Sequence, residues 1–277
     1  MNREQIDILG IKIDKLSLEK ILSEISSVLD SPNKLFIITA NPEGVILAQK
    51  DTEFKEAIGN ADIVTADGIG LLWAAKLLDY KTSKTFFRFV EIPFLALFSL
   101  LSLIFYPPYV KQVLLERVTG ADLFWEIIRR AYKNDKSVYL LGGYEEVAGK
   151  VREKLEKKFK GIRIAGAYPG TPQEKDLVEK INKSGADVLF VAWGQPKQEK
   201  WIRKNLKDLD VKLVIGVGGT FDVVAGKVKR APRFLQKIGL EWLWRLFMEP
   251  GKRIKRIFIA IPKFIFEIIR YKIKSKR

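Results

Sequence analysis

Short apolar runs recur along the chain, each followed by a polar loop and then by residues with helical spacing. LFIIT at 35–39, VYLL at 138–141, VLFVA at 188–192 and LVIGV at 213–217 are rich in Val, Leu and Ile. Runs of that length suit buried parallel strands better than helices. The pattern predicts strands near Asp7–Ile13, Leu35–Thr39, Ile63–Thr65, Val138–Leu141, Arg163–Ala167, Val188–Ala192 and Leu213–Val217. It predicts helices over Leu18–Leu29, Pro42–Ala48, Gly68–Leu77, Ala121–Lys133, Glu145–Phe159, Gln173–Lys183, Gln195–Asn205 and Phe234–Phe247. Repeated strand–helix alternation gives an α/β fold: a mostly parallel sheet with helices on both faces. In such a sheet, ligands are expected at the carboxyl ends of the strands.

One segment departs from this rhythm. Ile92 to Val110 is a run of 19 residues without a charge, within an apolar insert at about 80–115. Prolines at 93, 107 and 108 leave 13 residues between them, or roughly 20 Å of helix against a hydrocarbon core of about 30 Å. A simple crossing would also divide the strands between two sides of a membrane. The expectation is a re-entrant or interfacial contact from one side, with a buried helix or oligomer contact as the alternative.

The chain has 277 residues, 47% of them hydrophobic, enough for one large core or a core with a small appendage. Cysteine and histidine are both absent. That removes disulfides, thiolate catalysis and imidazole chemistry, so a general base has to be a carboxylate, or less readily a lysine or tyrosine. The N-terminal MNREQIDILG has no apolar core of a signal peptide, and a cytoplasmic location is expected.

Formal net charge is +16, and nine of those charges come from Lys252 to Arg277, where ten basic residues face the single acid Glu267. Basic residues there alternate with Ile, Phe and Tyr, as suits an amphipathic helix on an anionic bilayer. A nucleic-acid tail is the competing reading, and the bulky apolar content favours the membrane.

Six loops carry candidate chemistry. ITANPEGV at 38–45 ends a strand and places Asn41 as the cap of a helix beginning at Pro42, or in the cleft beside it. In ADIVTADGIG at 61–70, Asp67 can cap the next helix or project into the cleft. ERVTGADLFW at 116–125 sets Arg117 before a helix start, a position suited to a phosphate. LLGGYEE at 140–146 presents paired glycines after a strand but lacks a full dinucleotide fingerprint. The region from Asp187 to Arg233 holds two such loops, VAWGQPKQEKW and GVGGTFDVVAGKVKRAP. The only D-x-D, Asp208 to Asp210, precedes a strand, at the wrong end for the cleft, so neither a metal site nor a cofactor is expected.

Taken in order, T-A-N-P-E, A-D-G-I-G, E-R-V-T-G-x-D-L, L-L-G-G, W-G-x-P-x-Q-E and G-V-G-G-x-F-D-x-x-A-G-x-x-x-R-A-P resemble the WecG/TagA/CpsF glycosyltransferases. The likeness covers most of residues 1–80 and 114–250, and typical members lack the intervening insert. It implies a Rossmann-like core at 1–245 and a basic amphipathic helical appendage at 246–277 that associates with the membrane. It also implies inverting, metal-independent transfer of a sugar, N-acetylmannosamine in the best-known members, from a UDP-sugar to a polyprenyl-diphosphate-linked acceptor. The partners implied are the cytoplasmic membrane face and further copies of the chain, not nucleic acid. Asp67 becomes the base, with Thr39 and Asn41 in the acceptor or donor pocket and Arg117 near the diphosphate. Gln195, Gly218, Gly219 and Asp222 fall on the nucleotide-sugar side. Asp122, Gly142, Gly143, Trp193, Gly194 and Gln198 join them as binding candidates. Arg230, Arg233 or Arg253 would meet the diphosphate. A non-catalytic membrane scaffold is the rival reading, but a scaffold has no need of these polar loops.

Overall fold

In the computed structural model of the chain, residues 3–83, 86–144, 146–237, 239 and 241–275 are described, without the side chains at 104, 233, 237, 252, 253 and 255–257. Six parallel strands form the central sheet: β3 (Leu35–Ala40), β4 (Ile63–Ala66), β5 (Val138–Gly142), β6 (Ile164–Tyr168), β7 (Val188–Ala192) and β8 (Leu213–Gly216). Their order is β4-β3-β8-β7-β5-β6. The expected first strand is instead a hairpin, β1 (Gln5–Ile8) against β2 (Ile11–Asp14). Leu9 and Gly10 turn it with φ of 56° and 78°, the positive pair that two-residue hairpin loops require. Unbroken apolar alternation hid this turn, leaving Gly10 as its only sequence signal. The hairpin joins the sheet edge through Asp14, whose carboxylate accepts from Val64 N–H at 2.7 Å.

Alternate side chains of each strand enter different cores, as the two-residue period of a strand demands. Phe36, Ile38, Val64, Leu189 and Val214 point to one face. It is covered by α2 (Pro42–Ala48), α3 (Thr52–Gly59), α4 (Ile69–Asp79), α8 (Leu177–Lys183) and α9 (Lys197–Asn205). Leu35, Ile37, Phe190 and Ile215 point to the other. There the cover is α1 (Leu18–Leu29), α6 (Gly120–Lys133), α7 (Val147–Lys158) and α10 (Thr220–Ala225). The expected start of α7 at Glu145 lies outside the described residues.

The insert folds as α5 (Arg88–Phe105), which runs through Pro93 and begins before it, followed by a 3-10 turn at Pro107–Gln112. Pro93 is the sixth residue of the helix, so it removes one intrahelical hydrogen bond without ending the helix. Ile92, Ala96, Ser99 and Ser102 form its buried stripe. Trp73 Nε1 of α4 donates to Ser99 Oγ at 2.9 Å, fixing α5 against the core. Among the described residues, no helix is long and apolar enough to cross a membrane.

The expected helix at Phe234–Phe247 is divided into α11 (Arg233–Lys237) and α12 (Glu241–Met248), with Gly239 between them at φ 78°. After α13 (Pro250–Lys255) and a π turn comes α14 (Ile261–Lys274). This last helix does not stand apart from the core. Phe264, Ile268 and Lys272 recur at helical spacing and are buried, with Phe264 edge-on to Trp73. Lys272 Nζ donates to Leu78 O at 2.8 Å and to Tyr80 O, at the carboxyl end of α4. A cation there complements the helix dipole, while burial draws the ammonium below its ordinary pKa. Arg88, at the start of α5, donates to Lys272 O at 2.9 Å, so the last turn of α14 is held as well.

This packing has a measurable consequence. Phe264→Ala is expected to lower unfolding stability by about 3–5 kcal/mol. Phe266→Ala, on the exposed side of the same helix, should change it by no more than about 0.5 kcal/mol. Urea melts of the two variants check the pair.

Candidate active site

A cavity of about 590 Å³ opens at the carboxyl ends of β3, β4, β7 and β8. Its floor is polar, with Thr39, Asn41, Asp67, Arg117, Gln195 and Gln198 among its residues. The size and the few convergent polar groups fit a ligand site.

Two glutamines assemble this floor. Gln195 Nε2 donates to Thr39 O at 3.0 Å, and its Oε1 accepts from Asn41 Nδ2 at 3.1 Å. The loop after β7 is thereby joined to the loop after β3, across the end of β8. Asn41 also caps α2, accepting from Gly44 N–H at 2.8 Å, so capping and cleft-lining are one arrangement. Gln198 Oε1 accepts from Gly194 N–H at 2.9 Å and Gly218 N–H at 3.1 Å. Both glutamines need glycine beside them. A Cβ at Gly44 would lie 2.6 Å from Gln195 Oε1, and one at Gly216 would lie 2.4 Å from Gln198 Nε2.

Asp67 lies at the base of the cavity, between the N-termini of α4 and α6. Its Oδ2 faces Gly120 N–H at 3.4 Å. Burial pushes its carboxyl above the ordinary range, and Glu241 adds to that push. Arg117, Gly120 N–H and Arg245 pull the other way. Such a carboxylate is still a base but holds a proton better than a solvated one.

Arg117 Nη2 meets Glu241 Oε2 at 3.2 Å, and Arg230 Nε lies 3.7 Å from Glu241 Oε1. Arg230 also pairs with Asp122 in the first turn of α6. The buried Glu241 thus holds two arginines at the cavity edge. Glu241, Trp242 and Arg245, all on α12, line the cavity. Sequence reading did not single them out, although Glu241 is the only acid between Asp222 and Glu249 in a basic stretch.

Several expected residues lie elsewhere. Asp122, Asp222 and Arg230 are next to the cavity but outside its lining. A Cβ on Gly142 would lie 2.8 Å from the Trp193 ring, and one on Gly143 would lie 2.9 Å from Val147. This pair therefore serves close packing behind the site. Trp193 donates to Gly170 O at 2.6 Å and meets Trp201 edge-on, pointing it away from the cavity lining. Gly194, Gly218 and Gly219 do line the cavity. The side chains of Arg233 and Arg253 lie outside the described residues. Asp208 and Asp210 bond through their backbone to Asn182, at the opposite end of the sheet.

One buried acid went unnoticed as well. Glu199 accepts from Gln198 Nε2 at 2.8 Å, while its Oε2 has no partner among the described residues. Burial, opposed by the bonds from Gln198 and Gln195, raises its pKa to about 7. The native state holds this proton more tightly than the unfolded chain. Its stabilising contribution is therefore complete below the unfolded pKa, near 4.5, and is lost as pH rises through about 7. Glu199→Gln should raise the melting temperature at pH 8 and change it much less at pH 5. Paired thermal melts decide this.

A parallel α/β sheet whose strand-end loops bring a half-buried carboxylate and arginines to one cavity is an arrangement suited to group transfer. A family model described as "Glycosyl transferase WecG/TagA/CpsF family" matches residues 6–92 and 102–277. The chain belongs to this family and is a glycosyltransferase. It is 31% identical over 279 aligned positions to an N-acetylglucosaminyldiphosphoundecaprenol N-acetyl-beta-D-mannosaminyltransferase of Staphylococcus aureus strain MRSA252. That alignment covers 100% of the chain and 96% of the relative. The correspondingly named proteins of strains MW2 and NCTC 8325 show 31% and 30% identity with the same coverage. Residues 93–101, within α5, are unmatched by the family model, a narrower departure than the insert of 80–115.

Proposed function

We propose that this enzyme transfers N-acetylmannosamine from its UDP-activated form to N-acetylglucosaminyl diphosphoundecaprenol, with inversion, at the cytoplasmic face of a membrane. The observation that carries the reading is Asp67, a half-buried carboxylate in the lining of a cavity that Arg117 and Arg245 also line. The names of the aligned relatives supply donor sugar and acceptor.

The reaction is a single displacement. An acceptor hydroxyl attacks the anomeric carbon as UDP leaves from the opposite side, and Asp67 takes the hydroxyl proton. Negative charge grows on the departing diphosphate. Arg117, Arg245 and the N-termini of α4 and α6 supply the opposing field in place of a divalent cation. Thr39, Asn41 and Gln195 hold the sugars, since the Gln195 amide is already fixed to the Thr39 carbonyl and the Asn41 amide. Membrane attachment uses the exposed apolar side chains of α5 together with Phe258, Ile259 and Phe266, flanked by basic residues of the C-terminal region.

Asp67→Asn is expected to lower kcat by roughly 10²–10⁴-fold while UDP binding persists. Retention of turnover would remove Asp67 from the mechanism. Because Arg117 pulls the Asp67 pKa down, Arg117→Met should move the acid limb of kcat/KM to higher pH. A limb that stays in place contradicts the pairing. EDTA should leave turnover unchanged. Mass spectrometry of the lipid product reads all three.

A further inference from the structure

One half of the cavity is not polar. Leu47, Ile69 and Trp73 line it from α2 and α4, Leu100 and Leu103 from α5, and Ile261, Phe264 and Ile265 from α14. Two water-soluble sugars and a diphosphate have no use for such a wall. Desolvating their hydroxyls against it would cost free energy with no hydrogen bond in return. We infer that this wall is a slot for the first isoprene units of a polyprenyl diphosphate, holding the acceptor's tail while its sugar lies over Asp67. The inference rests on the acceptor assigned above.

Three observations support the assignment. First, the apolar wall and the polar floor belong to one cavity, as a molecule with a sugar diphosphate at one end and branched hydrocarbon at the other requires. Second, the wall is braced from behind. Ser99, which accepts from Trp73 Nε1, itself donates to Ala96 O at 3.0 Å, and Arg88 fixes the start of α5 to the end of α14. Third, the slot leads outward along α5. Within one turn of Leu100 lie Leu97, Phe98 and Leu101, and Phe94 lies beyond, all exposed by 46–67%. These four side chains fall within residues 93–101, the segment unmatched by the family model. A concave slot cannot admit a bilayer surface, but a single hydrocarbon chain leaving that surface can enter it.

The test uses the full-length enzyme in detergent micelles, with N-acetylglucosaminyl diphosphate acceptors carrying a farnesyl or an ethyl group. The expected KM for the farnesyl acceptor is at least about tenfold lower, since several buried methylenes separate the two. Leu100→Asn with Leu103→Asn should erode that preference to within about twofold, whereas Phe94→Ser with Leu97→Ser, on the outer face, should weaken liposome attachment and keep the preference in micelles. Leu100→Trp, which fills the slot rather than opening it to water, should also erode the preference and covers the case of a double variant that does not fold. A wild-type KM ratio near one, or a ratio unchanged by the slot variants, overturns the inference. If neither acceptor yields product, the donor or acceptor assignment has failed, and calorimetric titration with farnesyl diphosphate then judges the slot. Binding weakened at least about tenfold by the slot variants supports it, and binding that is absent or indifferent to them refutes it.

Discussion

The side-chain amide of Gln195 crosses the end of β8 to join the ends of β7 and β3, and the rest of the site depends on that crossing. It ties Thr39 and Asn41 to a loop more than 150 residues away in sequence. Room for it exists because Gly44 lacks a side chain on one side, while Gly216 makes the corresponding space for Gln198. A methyl group at either position would collide with the end of a glutamine side chain, which would have to move from its place in the floor. Glu199 continues the network into the core, where its bond to Gln198 fixes which way that amide points.

Electrostatics completes what packing begins. Asp67 is held among two helix N-termini, Arg117 and Arg245, with Glu241 opposing them. Glu241 and Arg245 both come from α12, so the C-terminal region contributes to the site rather than only leading away from it. The buried cation Lys272 and the apolar residues of α14 then hold the end of the chain against α4. Polar floor, apolar wall and exposed apolar side chains are in this way parts of one packed body.

Much of the sheet was legible because buried parallel strands are nearly pure runs of Val, Leu and Ile. Val188–Ala192 is strand β7 with the expected ends. Asn41 and Asp67 were legible as polar residues between a strand and a helix, where capping and cleft-lining are both open, and both line the cavity. The C-terminal helix was only half readable. Its period suggested a surface helix, but a buried lysine is rare, and the carbonyl groups that accept from Lys272 lie more than 190 residues earlier. The glycine pair at 142 and 143 lies outside the cavity lining. The same residue type that admits a phosphate also admits an indole ring, and here Trp193 occupies the space. Glu199 was visible in its motif, yet nothing in a sequence states that two adjacent polar residues are both buried and bonded to each other.

The most direct test of the account is a crystal structure of the Asp67→Asn variant with UDP-N-acetylmannosamine bound. The account predicts the anomeric carbon facing residue 67 across the space for the acceptor hydroxyl, with the diphosphate on its far side beside Arg117 and Arg245. A nucleotide sugar seated instead on the Gly142–Gly143 turn, with residue 67 out of its reach, would contradict it.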